Sequence, residues 1–207
     1  MTASHSKSQR VYRLVRRAIQ SGRFLPGQRI DPATLADELA TSDMPARLAL
    51  YRLVGKGLLD HHVRGGMYLP LPTEIALRDR YDWMRRLLDM ACDIGPAPFR
   101  LETRQIEIGH DDVIKQTWQV FDAIARATGH ASLHDELKRC NDWLAPIRRA
   151  KHHLIDDTFG ELVRLNRHWQ QRDLPRLKRA LRDYHERRTA LVPCIVATLK
   201  EQAERLG

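Results

Sequence analysis

The stretch "LLDHHVRGGMYLP", residues 58–70, is the one part of this chain that reads as strand. Two short extended runs, "LLDHH" and "MYLP", are joined by Val63-Arg64-Gly65-Gly66, and a glycine-bearing junction between two such runs predicts a β-hairpin. On either side the apolar residues recur at helical spacing. The fold class is therefore mainly α, with a single hairpin set early in the chain.

Three short helices are predicted ahead of the hairpin. From Gln9 to Ser21, Val11, Leu14, Val15, Ala18 and Ile19 fall at i, i+3, i+4, i+7 and i+8 and make one face, while Arg10, Arg13, Arg16 and Arg17 project largely off it. Gly22 can cap that helix at its C-terminus, and Pro26-Gly27 makes a turn. A second helix runs from Pro32 to Ala40, with Leu35, Ala36 and Leu39 inward. The third lies in "TSDMPARLALYRLVGKGLL", residues 41–59. There Ser42 or Asp43 can accept hydrogen bonds from first-turn amides, and Pro45 suits a first turn whose N–H groups lack partners. Ala46, Ala49, Leu50, Leu53 and Val54 form its buried stripe, and Gly57 stops it. Three small helices followed by a hairpin make a winged helix-turn-helix.

Charge narrows the partner. The 207 residues carry a formal net charge of +9, unevenly placed. Residues 1–72 hold 11 Lys and Arg against 5 Asp and Glu, whereas residues 73–207 hold 24 against 21. A basic excess concentrated in the head suits nucleic acid or an anionic membrane surface. No run approaches the roughly 20 apolar residues of a spanning helix. The opening "MTASHSKSQR" lacks the apolar core of a secretory signal. Cys92, Cys140 and Cys194 are odd in number and far apart, which suits a reducing compartment and argues against a disulfide framework or zinc finger. The expected location is cytoplasmic.

"LPLPTE", residues 69–74, reads as a proline-punctuated boundary, dividing a winged head at 1–72 from a second domain at 73–207. Beyond it the pattern is all-helical, with helices expected at 74–93, 98–107, 110–129, 131–149, 153–172 and 174–204. The last should break near Pro193, because proline removes a backbone donor and clashes with the preceding turn.

The run "IQSGRFLPGQRIDPATLADELATSDMPARLALYRLVGKGLLDHHVRGGMYL" resembles the DNA-binding domain of GntR-type bacterial transcription regulators. That family's pattern, G-x-(L/F)-x-P-G-x-x-(I/L), then L-A-x-x-L, then S-R-x-P-V-R-x-A-L and a glycine-bearing wing, is met at many points over residues 9–69. The helical remainder is similar to the FCD class of effector domains, through "YDWMRRLLDMA", "FDAIARATGHASL" and "QQRDLPRLKRALRDYHE". The resemblance implies a homodimer joined through its C-terminal domains, each head setting its third helix in the major groove of half an inverted repeat. It also implies a small-molecule effector held among the C-terminal helices, with repression relieved by ligand as the family habit.

Arg47 falls where the family has an arginine, early in the recognition helix. A guanidinium there can take guanine O6 and N7, worth roughly 1–3 kcal/mol of discrimination. Asp43 departs from the family, which usually has arginine; it can cap the helix, accept from a cytosine amino group, or orient Arg47. Ser42, Thr34 and Thr41 can bond phosphate oxygens or serve only as local caps, and Pro45 completes the motif on the DNA side. Arg13, with Arg10, Arg16 and Arg17, can neutralise phosphates or form a plain solvated face. Arg64, Gly65 and Gly66 make the wing tip, where missing side chains permit close approach, or an ordinary hairpin turn.

In many FCD domains one Asp and three His hold a divalent metal that helps to bind a carboxylate. Aligned on Gly129, those positions fall here on Thr117, Phe121, Leu162, and Tyr184 or His185. Apolar and weak donors cannot hold zinc, so no metal cofactor is expected. The same residues become candidate effector contacts, joined by Arg85, which either faces inward to bind an organic acid or pairs with Asp89 at i, i+4 on the surface. Two rivals stand beside this reading. One is a constitutive DNA-binding regulator whose pocket has closed. The other is a helical metal-dependent hydrolase using His130, His134 and "HHLIDD", residues 152–157. The chain contains no nucleophile elbow, P-loop or dinucleotide fingerprint, and the reading is a regulator and not an enzyme.

Overall fold

Helix α1, Thr2–Gln20, lays Val11, Val15 and Ile19 on one buried face and leaves Arg10, Arg13 and Arg17 exposed, as its apolar spacing requires. The computed structural model describes residues 2–62, 66–97, 106–151 and 154–205. After α1 come β1 (Arg29–Ile30), α2 (Pro32–Glu38), α3 (Asp43–Val54), β2 (Asp60–His62) and β3 (Gly66–Tyr68). The strands form one antiparallel sheet in the order β1-β3-β2, with Ile30 and His61 both opposite Met67. Strand β1 is an addition to the sequence reading. Two residues give no alternation to detect, and the strand exists because β3 offers a free edge. The ladder continues as Gly27 N–H donates to Leu69 O (2.8 Å) and Leu69 N–H to Gln28 O (3.0 Å).

Helix α3 ends at Val54, and the chain turns away from it at Gly57, the glycine expected to stop it. Gly57 takes φ +67, and Leu58 N–H reaches back to Leu53 O at 2.9 Å, the double closure that a left-handed residue permits.

The rest is a bundle: α4 (Glu74–Ile94), α5 (Val113–Ala127), α6 (Ala131–Ala150), α7 (Thr158–Gln170), α8 (Leu174–Ala190) and α9 (Val192–Glu204). Three expectations shift. The helix expected at 98–107 falls mostly outside the described residues, and Ile106–Gly109 are not helical. Helix α7 begins at Thr158 and not at 153, because Asp157 at φ +55 turns the chain and accepts from Gly160 N–H at 3.0 Å. The final helix divides at Leu191, which places Pro193 in the first turn of α9, where a missing N–H costs nothing.

Buried side chains fall into two clusters. One joins Val15, Ile19, Leu50, Leu53 and Met67 of the head; the other joins Leu77, Phe121, Leu137, Leu165, Leu181 and Leu199 of the bundle. Trp143 of α6 packs against both. A side chain at Gly27 would bring its Cβ to 2.8 Å from Ala203 Cβ, so the head's turn lies directly on α9. Among the described residues no helix is long and apolar enough to cross a membrane.

Candidate nucleic-acid interface and buried cation cluster

The outer face of α3 is open. Ser42, Asp43, Met44, Arg47, Leu48 and Tyr51 are all exposed along it. Arg47 Nε donates to Asp43 Oδ2 at 2.5 Å, with the two side chains 48% and 47% exposed. Of the three roles open to Asp43, this geometry is that of orienting Arg47, since the pair holds the guanidinium along the helix while offsetting its charge. Ser42 is the N-cap residue but makes no capping bond with its side chain, which leaves the hydroxyl for an outside partner. Thr34 is exposed, its hydroxyl 3.4 Å from Asp31 Oδ1 in the cap of α2. Gly66, at φ +95, sits against the Arg29 guanidinium, where an added Cβ would stand 3.1 Å from Nε. Arg64 and Gly65 lie outside the described residues.

Two residues leave this face. Pro45 is buried, because the first turn of α3 rotates its ring inward beside Ala46, so it offers DNA no side chain. Arg16 points away from the head's open side and is ion-paired to Asp142 of α6. Exposed residues that the sequence reading passed over extend the face instead: Met44, Leu48, and His61 of β2, whose ring stands edge-on to Tyr51 at 5.6 Å.

A second constellation lies inside the bundle. Arg148 of α6, Lys151 at its C-cap, and His185 and Arg188 of α8 are only 5%, 2%, 2% and 3% exposed. Among the described residues Glu161 of α7 is the carboxylate that reaches them, accepting from Arg188 Nη2 at 2.7 Å. Arg148 Nη1 donates to Asn141 Oδ1 at 2.8 Å, while its Nε and Nη2 find no partner among the described residues. Arg188 Nε and His185 Nε2 are also unpartnered there. Lys151 Nζ donates to Tyr81 Oη at 2.5 Å. Burial drives the Lys151 amine well below the usual lysine range, helped by Arg188 and Arg148. Burial likewise pushes His185 down to about 3, although Leu181 O accepts from its ring, so the imidazole is neutral near pH 7. Arg148, Lys151, Thr117, Tyr184 and Arg188 line a cavity of about 20 Å³ together with Ile155 and Thr158.

Comparison with known proteins fits the head to a family. Residues 7–69 match the family model described as bacterial regulatory proteins, gntR family. Residues 7–69 are a GntR-family regulator domain. The match covers the winged head and stops short of the helical bundle. The fold extends to solved structures. McbR/YncC of E. coli is 17% identical with a TM-score of 0.65, covering 90% of this chain and 96% of that one. A protein described as a GntR transcriptional regulator from Rhodococcus sp. RHA1 is 19% identical with a TM-score of 0.68, covering 90% and 97%. No curated protein matches significantly.

The candidate effector residues separate in the bundle. Phe121, Tyr184 and His185 do converge, with ring centroids 5.3 Å apart for Phe121–Tyr184 and 5.0 Å for Tyr184–His185. Thr117 and Tyr184 reach the cavity; Phe121 and Leu162 are closed into the apolar core behind it. Arg85 does not line the cavity. It is held at the surface of α4 by Asp82 (2.8 Å) and Asp89 (3.0 Å), the i, i+4 alternative, because both acids lie one turn away on its own helix. Among the described residues no group of three or more His, Cys, Asp and Glu is placed to hold a metal, and His134 is bonded to Asp122 at 2.8 Å. His152 and His153 lie outside the described residues.

The sequence reading missed Arg148, Lys151 and Arg188. A signal was present. Leu137, Asn141, Leu144, Arg148 and Lys151 fall at i, i+4, i+7, i+11 and i+14, one helical stripe, and Leu177, Leu181, Tyr184 and Arg188 repeat the spacing on α8. A cation that holds the register of a core stripe is a buried cation.

Proposed function

We propose that the chain is a homodimeric, ligand-responsive repressor, in which the head at 1–72 reads an inverted-repeat operator. The bundle at 73–207, an effector domain of FCD type, dimerises and holds a small anionic molecule. The observation that carries the DNA part is the open outer face of α3, where Arg47 is pre-oriented by Asp43 beside an uncommitted Ser42. Arg47 meets a guanine edge, Ser42 and Thr34 bond phosphates, and exposed Arg13 adds sequence-independent attraction.

The effector part is supported by the cavity and by its proximity to the head. Arg148 is bonded to Asn141, Asn141 Nδ2 donates to Trp118 O at 2.9 Å, and Trp118 Nε1 donates to Asp142, which also receives Arg16 and Gln20 of α1. A ligand that draws Arg148 away from Asn141 disturbs a network ending on the head. Regulation then follows from unequal ligand affinity for two placements of the heads. The small size of the cavity, about 20 Å³, favours the rival constitutive regulator, and ligand titration separates the two.

The direct test is selection of bound DNA from a random pool by the full chain. An inverted-repeat consensus is the expected result. No enriched sequence, at salt low enough for non-specific binding to register, ends the operator reading.

A further inference from the structure

The chemistry of the cavity is unbalanced. Two guanidinium groups, Arg148 and Arg188, are buried with one carboxylate, Glu161, and Lys151 stands beside them. Arginine cannot relieve this by losing its proton. Buried donors without partners are rare in native proteins, and each needs a reason. Here the unpartnered atoms belong together. Nε and Nη2 of Arg148 are the side edge of the guanidinium, whose two N–H bonds run parallel, the geometry that receives two oxygens of one carboxylate or phosphate. The edge belongs to a side chain that lines the cavity and is 5% exposed. Arg188 Nε adds a third free donor.

We propose that Arg148, Lys151 and Arg188 form a metal-independent seat for a small dianion, a dicarboxylate or a phosphate monoester. The proposal deepens the effector reading above and rests on it for regulatory meaning. With Lys151 protonated, the three buried cations exceed Glu161 by two charges, and half-exposed Arg187, 3.3 Å from the same carboxylate, adds to the positive excess that a dianion offsets. One oxygen pair takes the free edge of Arg148. The remaining charge lies toward Lys151, whose amine turns from Tyr81. Thr158 at the start of α7 stands at the cavity wall to donate to a remaining ligand oxygen, while the Thr117 hydroxyl on α5, also at the wall, already donates to Val113 O at 2.8 Å. The site has room for about one water molecule, so a bound dianion pushes the wall outward at Ile155. That residue lies outside both helices, ahead of the start of α7.

The test is calorimetry and thermal shift on the full chain in EDTA and low chloride, with inorganic phosphate, malonate, succinate and acetate as probes. Saturable binding of phosphate or of a dicarboxylate is expected, with a rise in Tm, and acetate weaker by roughly tenfold or more. Phosphate alone points to a phosphorylated ligand, and malonate or succinate alone to a dicarboxylic acid. Arg148→Gln should weaken binding by roughly tenfold or more without lowering the Tm of the free protein, since it removes an unpaired buried charge. Lys151→Met serves as the second variant should the first fail to fold. The proposal is overturned if no probe binds saturably, if EDTA abolishes binding, or if the variants bind as the parent does. DNA selection run in parallel keeps the two readings apart. Operator binding without any anion binding removes this proposal alone, and anion binding without DNA selection removes the operator reading alone.

Discussion

Arg16 of α1 and Asp142 of α6, 126 positions apart, form a two-pronged ion pair, Nε to Oδ2 at 2.6 Å and Nη2 to Oδ1 at 3.0 Å. Gln20 Nε2 and Trp118 Nε1 donate to the same carboxylate at 2.5 and 2.9 Å. Asp142 is nearly buried, so four charge-assisted bonds converge where solvent screens little. A second tie runs beside it: Arg149 Nε donates to Gln20 O at 3.1 Å and its Nη2 to Asp112. Asp142→Ala leaves a partly buried arginine without its counter-charge, and docking of the head should weaken by about 2–4 kcal/mol. Hydrogen exchange in α1 reports this directly. Unchanged protection of Arg16–Gln20 amides would show that the head is held by Trp143 and its apolar neighbours instead.

Asp43 and Arg47 make a paired prediction on DNA. Arg47→Ala should relax preference at one symmetric base position, at a cost of roughly 1–3 kcal/mol per half-site. Asp43→Ala frees the same guanidinium and removes a carboxylate that repels phosphate. Overall affinity should rise and the salt slope steepen by about one phosphate contact, with poorer discrimination. Anisotropy titrations at several salt concentrations read both effects. Flat responses in both variants mean that another face of the head meets DNA.

Arg13 and Arg16 look alike in sequence and should behave differently. Arg13 is exposed, so Arg13→Ala lowers the salt slope by roughly one contact and weakens all sequences alike. Arg16 is committed to Asp142, so Arg16→Ala leaves the slope alone and acts on head docking. Equal slopes for the two variants would contradict the orientation of α1.

That contrast shows what the sequence made legible. The apolar stripe Val11, Val15 and Ile19 fixed which side of α1 is buried, but no local rule says which off-stripe arginine meets a partner 126 residues away. Recognition helix α3 was readable from its cap, stripe and glycine stop because all are local. The Asp43–Arg47 pair was readable for the same reason, being one turn apart. The buried cations were not, because Lys and Arg on a helix are solvated by default and only their register with Leu144 and Leu181 argues otherwise. Family alignment drew attention to Thr117 and Tyr184, which do reach the cavity, and to Arg85, which its neighbours Asp82 and Asp89 hold outside.

His185 should contribute to the loss of stability in acid. Its folded pKa is about 3, lowered by burial with Arg188, Arg148 and Arg85 nearby, against about 6.5 in the unfolded chain. Between those values the unfolded state binds the extra proton, so stability falls as pH drops through the window. At pH 5 the loss should be on the order of 2 kcal/mol. His185→Leu removes the titrating group, and thermal melts between pH 6.5 and 4.5 should show a shallower fall in Tm. An equal fall in parent and variant assigns the acid sensitivity to other groups.

Lys151 acts on the alkaline side. The groups facing it are Tyr81 from α4, Arg148 from its own helix, Arg188 from α8 and Glu161 from α7, and burial with the two arginines outweighs the carboxylate. Its folded pKa therefore lies below the unfolded value near 10.5, and between the two the unfolded chain holds a proton that the folded chain lacks. Stability should rise with pH across that window. The rise is readable only up to about pH 9, the ordinary range of a thiol. Beyond it Cys92 and Cys140, pushed up to about 12 and about 11 by burial, act in the opposite sense, because the unfolded thiols ionise first. Lys151→Met replaces the amine with an apolar chain of similar length. It should raise Tm at pH 7, bring the pH 7 and pH 9 melts together, and abolish stabilisation by phosphate or malonate. A structural lysine, kept only for its bond to Tyr81, would do the reverse at pH 7: its loss would lower Tm and strand a buried hydroxyl.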